Sequence, residues 1–170
     1  MTTKPETKKA THTKLSTLLA PLNPLQAENL RDVRVDDITH DSRAASDGSL
    51  FVALRGTEAD GHRYIPDAVE NGAAAVLCEE LPDTLADVPV VRVENTRVAF
   101  SAASDAYFDH PSEDLKITGV TGTDGKTSTT VLLHHILQNA GHRSGRTGTL
   151  AHRLGKRTLE SEMTTPDPFD

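Results

Sequence analysis

The stretch Ile117-Thr118-Gly119-Val120-Thr121-Gly122-Thr123-Asp124-Gly125-Lys126-Thr127-Ser128 carries the strongest signal in the chain. It reads as a strand, a tight glycine-rich turn and the start of a helix. Gly122 and Gly125 permit backbone angles that other residues avoid, and they allow close approach of phosphate oxygens. The helix that follows offers unpaired N–H groups and its positive dipole end to an anion. Lys126 supplies a point charge for β/γ-phosphates, and the Thr127 hydroxyl is the expected Mg²⁺ ligand. The spacing departs from the common G-x-x-x-x-G-K-[ST] pattern, because five residues rather than four separate Gly119 from Gly125. A strand before, a helix after and Gly-Lys-Thr at the junction still favour a phosphate loop over an ordinary turn with a surface lysine. ATP-binding positions are therefore expected at Gly122, Thr123, Asp124, Gly125, Lys126, Thr127 and Ser128, with Lys126 also acting in catalysis.

Downstream, a helix is expected over 126–140. Leu132, Leu133, Ile136, Leu137 and Ala140 lie on one face, and Gly141 is its stop. A strand is expected near Ser144–Leu150, then a polar tail with a possible hairpin. Upstream, Leu115–Thr121 reads as a strand. The polar, proline-bearing His110-Pro111-Ser112-Glu113-Asp114 reads as a linker. Before it the pattern is again strand and helix. Ser49–Leu54, Ala74–Cys78 and Pro89–Val93 are apolar runs of strand length. A helix over 65–71 has Pro66 near its first position and Gly72 as its stop. Asn95 can cap a helix to about Phe108, with Val98, Ala99, Ala102, Ala106 and Tyr107 on one side. Leu15–Leu19 reads as a helical turn stopped by Pro21 and Pro24.

Alternating strands and helices imply an α/β fold with a largely parallel sheet. The expected organisation is a disordered tail over 1–13, a small α/β domain over 14–110, a linker at 111–115 and the beginning of a phosphate-loop, parallel-sheet domain over 116–170. About 55 residues cannot cover both faces of a parallel sheet, so the second domain reads as incomplete and the chain as truncated.

Thirty-six per cent apolar residues suffice for a core, and with only 4 % aromatic content Leu, Val, Ile and Ala must fill it. The net charge of −7, from 25 acidic and 18 basic residues, argues against a nucleic-acid surface, which needs clustered Lys and Arg. It leaves room for one loop-bound phosphate. The single cysteine, Cys78, sits in an apolar run and reads as a buried structural thiol in a reducing, cytoplasmic setting. No run approaches the roughly 18 apolar residues of a membrane span, and no signal peptide is evident. The eight histidines show no metal-ligand spacing and read as solvated or locally bonded.

Gly122-Thr123-Asp124-Gly125-Lys126-Thr127 after a Val-Thr strand resembles the ATP loop of the Mur ligases, with Asp124 where that family usually has Asn. A second block agrees: Asp41-Ser42-Arg43, Gly48–Gly56, Asp60-Gly61-His62 and Ala68–Ala73 resemble the N-terminal domain of the tripeptide- and pentapeptide-forming members. Gly148-Thr149-Leu150, Met163-Thr164-Thr165-Pro166 and His110-Pro111-Ser112 favour the branch that adds the third residue of the peptide. The resemblance covers residues 36–80 and 107–166.

The resemblance implies an ATP- and Mg²⁺-dependent amide ligase acting on UDP-MurNAc-L-Ala-D-Glu and an amino acid in peptidoglycan synthesis. It implies a uridine-nucleotide site at His40 (through its backbone), Ser42, Thr57, Glu58 and Ala59. Thr164 and Thr165 would bind the sugar-peptide part. Glu58 is a poor neighbour for a diphosphate, so contacts at 57–58 would run through the backbone. A cytoplasmic monomer without nucleic-acid or membrane partners is expected, and the 170 residues alone are expected to be inactive. A dipeptide-adding ligase, a folylpolyglutamate- or cyanophycin-type ligase and a nucleotide-binding module without ligase activity remain as alternatives; the Asp41-Ser42-Arg43 block speaks against the folate type.

Overall fold

The computed structural model describes residues 13–56, 59–83, 87–155, 157–159 and 167–169, which form two compact units divided between Asp114 and Leu115, with Phe169 belonging to the first.

In the first unit the elements follow as β1 (Thr13–Lys14), α1 (Leu15–Leu19), β2 (Gln26–Glu28), β3 (Arg34–Val35), β4 (Asp37–Thr39), β5 (Ser49–Val52), α2 (Ile65–Glu70), β6 (Ala75–Cys78), β7 (Val90–Arg92) and α3 (Thr96–Tyr107). Short 3₁₀ turns lie at Ser42–Ala44, Gly61–Tyr64 and Pro111–Asp114. The main sheet has the order β2-β7-β6-β5-β4. The last four of these strands pair in parallel, and β2 closes the far edge antiparallel to β7. Strands β1 and β3 form a separate two-stranded ribbon. Thr13, assigned by its polar neighbours to the tail, is therefore part of β1, opposite Val35.

Every residue of β5 and β6 is buried, as a parallel sheet covered on both faces requires. The strand period of two divides the side chains between two clusters. Leu50, Val52, Leu77 and Val91 pack with Leu15 and Leu18 of α1 and Ala99, Phe100 and Ala103 of α3. Phe51, Val76, Cys78 and Val90 pack with Ile65 and Ala68 of α2. Each fully buried Val, Leu or Phe contributes about 1.5–3 kcal/mol of transfer free energy. Helix α3 is capped as expected: Asn95 Oδ1 accepts from Arg97 N at 3.0 Å and Val98 N at 3.1 Å. Its inward stripe differs from the expectation. Val98 is 65 % exposed, while Phe100 and Ala103 are buried. They fall with Thr96, Ala99, Ala106 and Tyr107 on the helical stripe facing the sheet, which Val98 misses.

The turn after α2 needs its glycine. Gly72 has φ +107°, and a Cβ there would stand 2.9 Å from Asp47 N. Tyr107 Oη donates to Asp36 O at 2.6 Å, which ties α3 to the start of β4. Burial, and then the charges of Asp37 and Asp36, raise its pKa.

In the second unit the elements are α4 (Lys126–Asn139), β8 (Gly145–Arg146), β9 (His152–Leu154) and β10 (Arg157–Leu159). The three strands form an antiparallel sheet in the order β10-β9-β8, and β9 and β10 make the hairpin expected in the polar tail. Two expected elements differ. The strand near Ser144–Leu150 is only the two residues of β8. Leu115–Thr121 pairs with no strand among the described residues, and Ile117 is 73 % exposed, because a strand forms only against a ladder partner. On α4, His134 alone is buried, and Leu132 and Ile136 face outward.

Candidate functional site

Two groups of residues, one in each unit, carry the chemistry. In the second unit the chain turns at Gly122, with φ +144°, and again at Gly125, with φ +80°. Gly125 is the N-cap of α4 and lies in the left-handed region. A Cβ at Gly125 would meet nothing within 4 Å, so the backbone angle and not crowding favours glycine there. The N-cap makes no side-chain hydrogen bond, and the first turn holds no acidic residue. The first N–H groups of a 14-residue helix thus present a positive end with no competing carboxylate in that turn.

Lys126 Nζ donates to Gly122 O at 2.6 Å and Thr123 O at 3.0 Å. Its ammonium is folded over the loop that Gly122, Thr123, Asp124 and Gly125 form. Thr127 and Ser128 stand in the first turn behind it, Thr127 half-buried and Ser128 exposed. The seven ATP-loop positions are therefore gathered at one helix start. These residues fit a nucleotide phosphate: two glycines in positive φ, an uncapped helix end and a cation over the loop. For a magnesium ion, the loop offers the hard oxygen of Thr127, which leaves phosphate oxygens to complete the shell. Among the described residues no group of three or more His, Cys, Asp or Glu side chains is arranged to hold a metal.

In the first unit, the loops leaving the carboxyl ends of β4 to β7 share one edge of the sheet, where open parallel sheets bind ligands. His40 and Ser42 follow β4. The Asp41 carboxylate caps the 3₁₀ turn by accepting from Arg43 N at 3.0 Å, and it grips the guanidinium through Nε at 2.9 Å and Nη2 at 2.7 Å. The Arg43 side chain and then its N–H pull the Asp41 pKa down to about 2. Ser42 is buried, and its carbonyl accepts from Asn71 Nδ2 at 3.0 Å. The His40 ring meets Phe100 edge-on, with centroids 5.8 Å apart. The Asp-Ser-Arg block is thus a capped turn.

Ala59 lies on the next loop, after β5. Gly56 N donates to Ala59 O at 2.9 Å, and Arg55 and Asp60 form an antiparallel bridge next to that bond. Strands β4 and β5 are neighbours, so the two loops leave the same edge side by side. Thr57, Glu58, Thr164 and Thr165 lie outside the described residues.

Around this edge runs a polar network in which Asp60, His62 and Arg55, within the stretches quoted from the sequence, meet Glu79, Glu80, Arg92 and Thr96, which reading the sequence did not single out. Glu79 Oε1 accepts from Thr96 N and Thr96 Oγ1, both at 2.9 Å. Arg55 pairs with both Glu79 and Glu80. Burial alone would raise the Glu79 pKa, but the Thr96 hydrogen bonds and Arg55 outweigh it, and the net shift is downward. Arg92 Nε donates to Glu79 O at 2.9 Å. His62 bridges Asp60 and the backbone of Glu79 and Glu80. Its sequence signal is Asp60-Gly61-His62, a capping Asx followed by a close-packed glycine. The partners come from three loops, which no local pattern brings together. Cys78 beside them is fully buried, and burial pushes its thiol up to about 11.

Comparison with known proteins places both units in one family. The family model described as Mur ligase family, catalytic domain, matches residues 34–108, and that described as Mur ligase middle domain matches residues 120–170. The chain is 38 % identical over 157 residues to the UDP-N-acetylmuramoyl-L-alanyl-D-glutamate–2,6-diaminopimelate ligase of Bacteroides fragilis, covering 92 % of this chain and 32 % of that protein. To the ligase of the same name from Aquifex aeolicus it is 46 % identical over 134 residues, covering 79 % and 27 %. To the UDP-N-acetylmuramyl-tripeptide synthetase of Roseiflexus sp. it is 42 % identical over 152 residues, covering 88 % and 28 %. Among solved structures, MurF from Acinetobacter baumannii superposes with TM-score 0.62 at 26 % identity, over 77 % of this chain and 28 % of that one. A UDP-N-acetylmuramoyl-L-alanyl-D-glutamate–2,6-diaminopimelate ligase superposes with TM-score 0.67 over 94 % of this chain and 32 % of that one, and at 18 % identity it speaks to the fold alone. The chain spans about a third of the length of the curated relatives it matches. With two family models end to end along the chain, a parallel-dominated α/β sheet and a glycine-cornered loop at a helix start, the chain belongs to the Mur ligase family.

Proposed function

We propose that the chain supplies the uridine-nucleotide-binding and phosphate-holding parts of an ATP-dependent amide ligase, the UDP-N-acetylmuramoyl-tripeptide synthetase type. In this reading it acts in the cytoplasm, as a monomer, on UDP-MurNAc-L-Ala-D-Glu and a third amino acid. The observation that carries the reading is Lys126 folded over the Gly122–Gly125 turn at the uncapped start of α4. The choice of substrate is supported by the named relatives at 38 % and 46 % identity. Among the described residues no helix is long and apolar enough to cross a membrane.

The chemistry is the one that the resemblance to the family implies, and the loop suits it. The substrate carboxylate oxygen attacks the γ-phosphorus of ATP, ADP leaves, and an acyl phosphate forms. The amine of the third amino acid then attacks the acyl carbon, loses a proton, and expels inorganic phosphate as the amide forms. Phosphoryl transfer needs positioning and charge neutralisation more than covalent help. The N–H groups of Gly125, Lys126 and Thr127 orient the phosphates, and the Lys126 ammonium offsets charge that builds on the β/γ-oxygens. Thr127 would hold Mg²⁺, which would supply further neutralisation of the phosphate charge. In this reading His40, Ser42, Thr57, Glu58 and Ala59 hold the uridine nucleotide, and Thr164 and Thr165 take the sugar-peptide part.

The test is phosphate release coupled to amide formation with UDP-MurNAc-L-Ala-D-Glu, ATP and meso-diaminopimelate or lysine, using the full-length protein, beside the 170 residues alone, which are expected to bind nucleotide without turnover. Release with neither amino acid by the full-length protein overturns the reading. Release only with UDP-MurNAc-tripeptide and D-Ala-D-Ala would assign the dipeptide-adding reaction instead.

A further inference from the structure

The His62 ring is held at both of its nitrogens. Its side chain is 12 % exposed. Nε2 stands 2.9 Å from Glu79 N and 3.3 Å from Glu80 N. Backbone N–H groups only donate, so Nε2 must accept and carries no proton. The ring proton then sits on Nδ1 and is donated to Asp60 Oδ1 at 2.6 Å. Both nitrogens are used, and only the neutral Nδ1–H tautomer satisfies them.

What the ring holds matters more than the ring. Asp60 Oδ1 also accepts from His62 N at 3.0 Å, and Asp60 forms a β-bridge with Arg55 beside the Gly56–Ala59 hydrogen bond. Gly61 packs so closely that a Cβ would lie 2.6 Å from Leu54 O. The opposite end of the bracket is the exit of β6, where Glu79 is fixed by Thr96 at the start of α3. One imidazole thus fastens the loop after β5 to the loop after β6.

We propose that His62 is a positioning residue for the uridine-nucleotide substrate: as the Nδ1–H tautomer it holds Asp60, and through it the paired ends Arg55-Gly56 and Ala59-Asp60 of the loop after β5, at the carboxyl edge of the sheet, beside the His40–Ser42 loop. This rests on the reading of Ala59 as part of the substrate site. The ring need not touch the substrate. Its effect is to spare these loop ends the ordering cost at binding, which a loop without this bracket has to meet on every encounter.

Two measurements test it. Long-range ¹H–¹⁵N NMR of the labelled wild-type chain at neutral pH should show His62 as the Nδ1–H tautomer with Nε2 unprotonated. Titration calorimetry with UDP-MurNAc-L-Ala-D-Glu should show His62→Phe binding about 10-fold more weakly, the scale of one lost set of buried hydrogen bonds. ADP affinity should stay within about twofold, because that ligand belongs to the other unit. His62→Gln, whose amide oxygen still reaches the Glu79 N–H, should recover part of the loss. Should His62→Phe not fold, His62→Asn, too short to reach Glu79, replaces it with the same expected result. An Nε2–H tautomer, or wild-type substrate affinity in the variant, overturns the inference while leaving the substrate reading intact. Absence of substrate binding by the wild-type chain overturns the substrate reading, and this inference with it.

Discussion

Ser49–Val52 and Leu115–Thr121 are both short apolar runs that lead into a glycine-bearing loop, and they end in opposite states. The first is buried throughout, flanked by β4 and β6 in the sheet and covered on both faces. The second has Ile117 73 % exposed and no ladder partner among the described residues. The same contrast holds between helices: α3 buries a full stripe against its sheet, whereas Leu132 of α4 is 63 % exposed. The difference teaches that a parallel strand or an amphipathic helix is stabilised by its neighbours and hardly by its own sequence. The two units also divide the labour: one holds its loops on a closed core, the other holds its phosphate loop on a single helix end.

The sharpest way to break that contrast is in the cores. Phe51→Ala removes a fully buried ring from the first unit and should cost about 3–5 kcal/mol, read as a fall in the urea midpoint. Leu132→Ala on the outward side of α4 should stay within about 0.5 kcal/mol. Equal losses would mean that α4 is covered in solution. Next in size is Lys126→Ala. Loss of the charged donor over the loop should weaken ATP binding about 10- to 100-fold by calorimetry, with the urea midpoint of the first unit unmoved. Unchanged affinity would remove the lysine from the site.

Smaller effects sharpen the picture. Asn95→Ala deletes the α3 cap and should cost about 1 kcal/mol in the same denaturation experiment; a neutral result would show that packing alone starts that helix. Asp41 is depressed to about 2 by Arg43. A depressed carboxylate contributes stability above its unfolded pKa of about 3.9 and loses it as pH falls toward its folded value. The Arg43 side chain is 88 % exposed, so the contribution is screened and stays below about 1 kcal/mol. Asp41→Asn should flatten the stability profile between about pH 4 and 2, and a profile with unchanged slope would move the effect elsewhere. The least effect is expected of Asp124→Asn. Asp124 is exposed, and its charge is screened by salt, so ATP affinity should remain within about threefold. A larger change in calorimetry would give the carboxylate a role of its own.

Much of the first unit was legible in the chain. Runs such as Phe51-Val52 and Val76-Leu77-Cys78 are apolar enough to be buried on both sides, and Asn95, Pro66 and Gly72 mark helix ends by backbone chemistry. The edge elements were not. Gln26–Glu28 and Asp37–Thr39 are short and polar, and they become strands because β7 and β5 offer free ladder groups. Val98 looked inward because it is apolar, while Phe100 and Ala103 set the true stripe. In the candidate site, the loop from Gly122 to Thr127 was legible because its parts are consecutive. The Asp60–His62–Glu79 bracket was not, since it joins two loops on either side of α2 and β6.

Cys78 gives the sheet a clock. Its thiol lies inside the central strand β6, with its pKa raised to about 11, and it is the chain's only cysteine. Alkylating reagents act on the thiolate, so labelling must wait until the first unit opens around that strand. The rate of modification under native conditions therefore times the opening of the sheet, with no added probe. Ligands that hold the loops at the sheet edge should slow it.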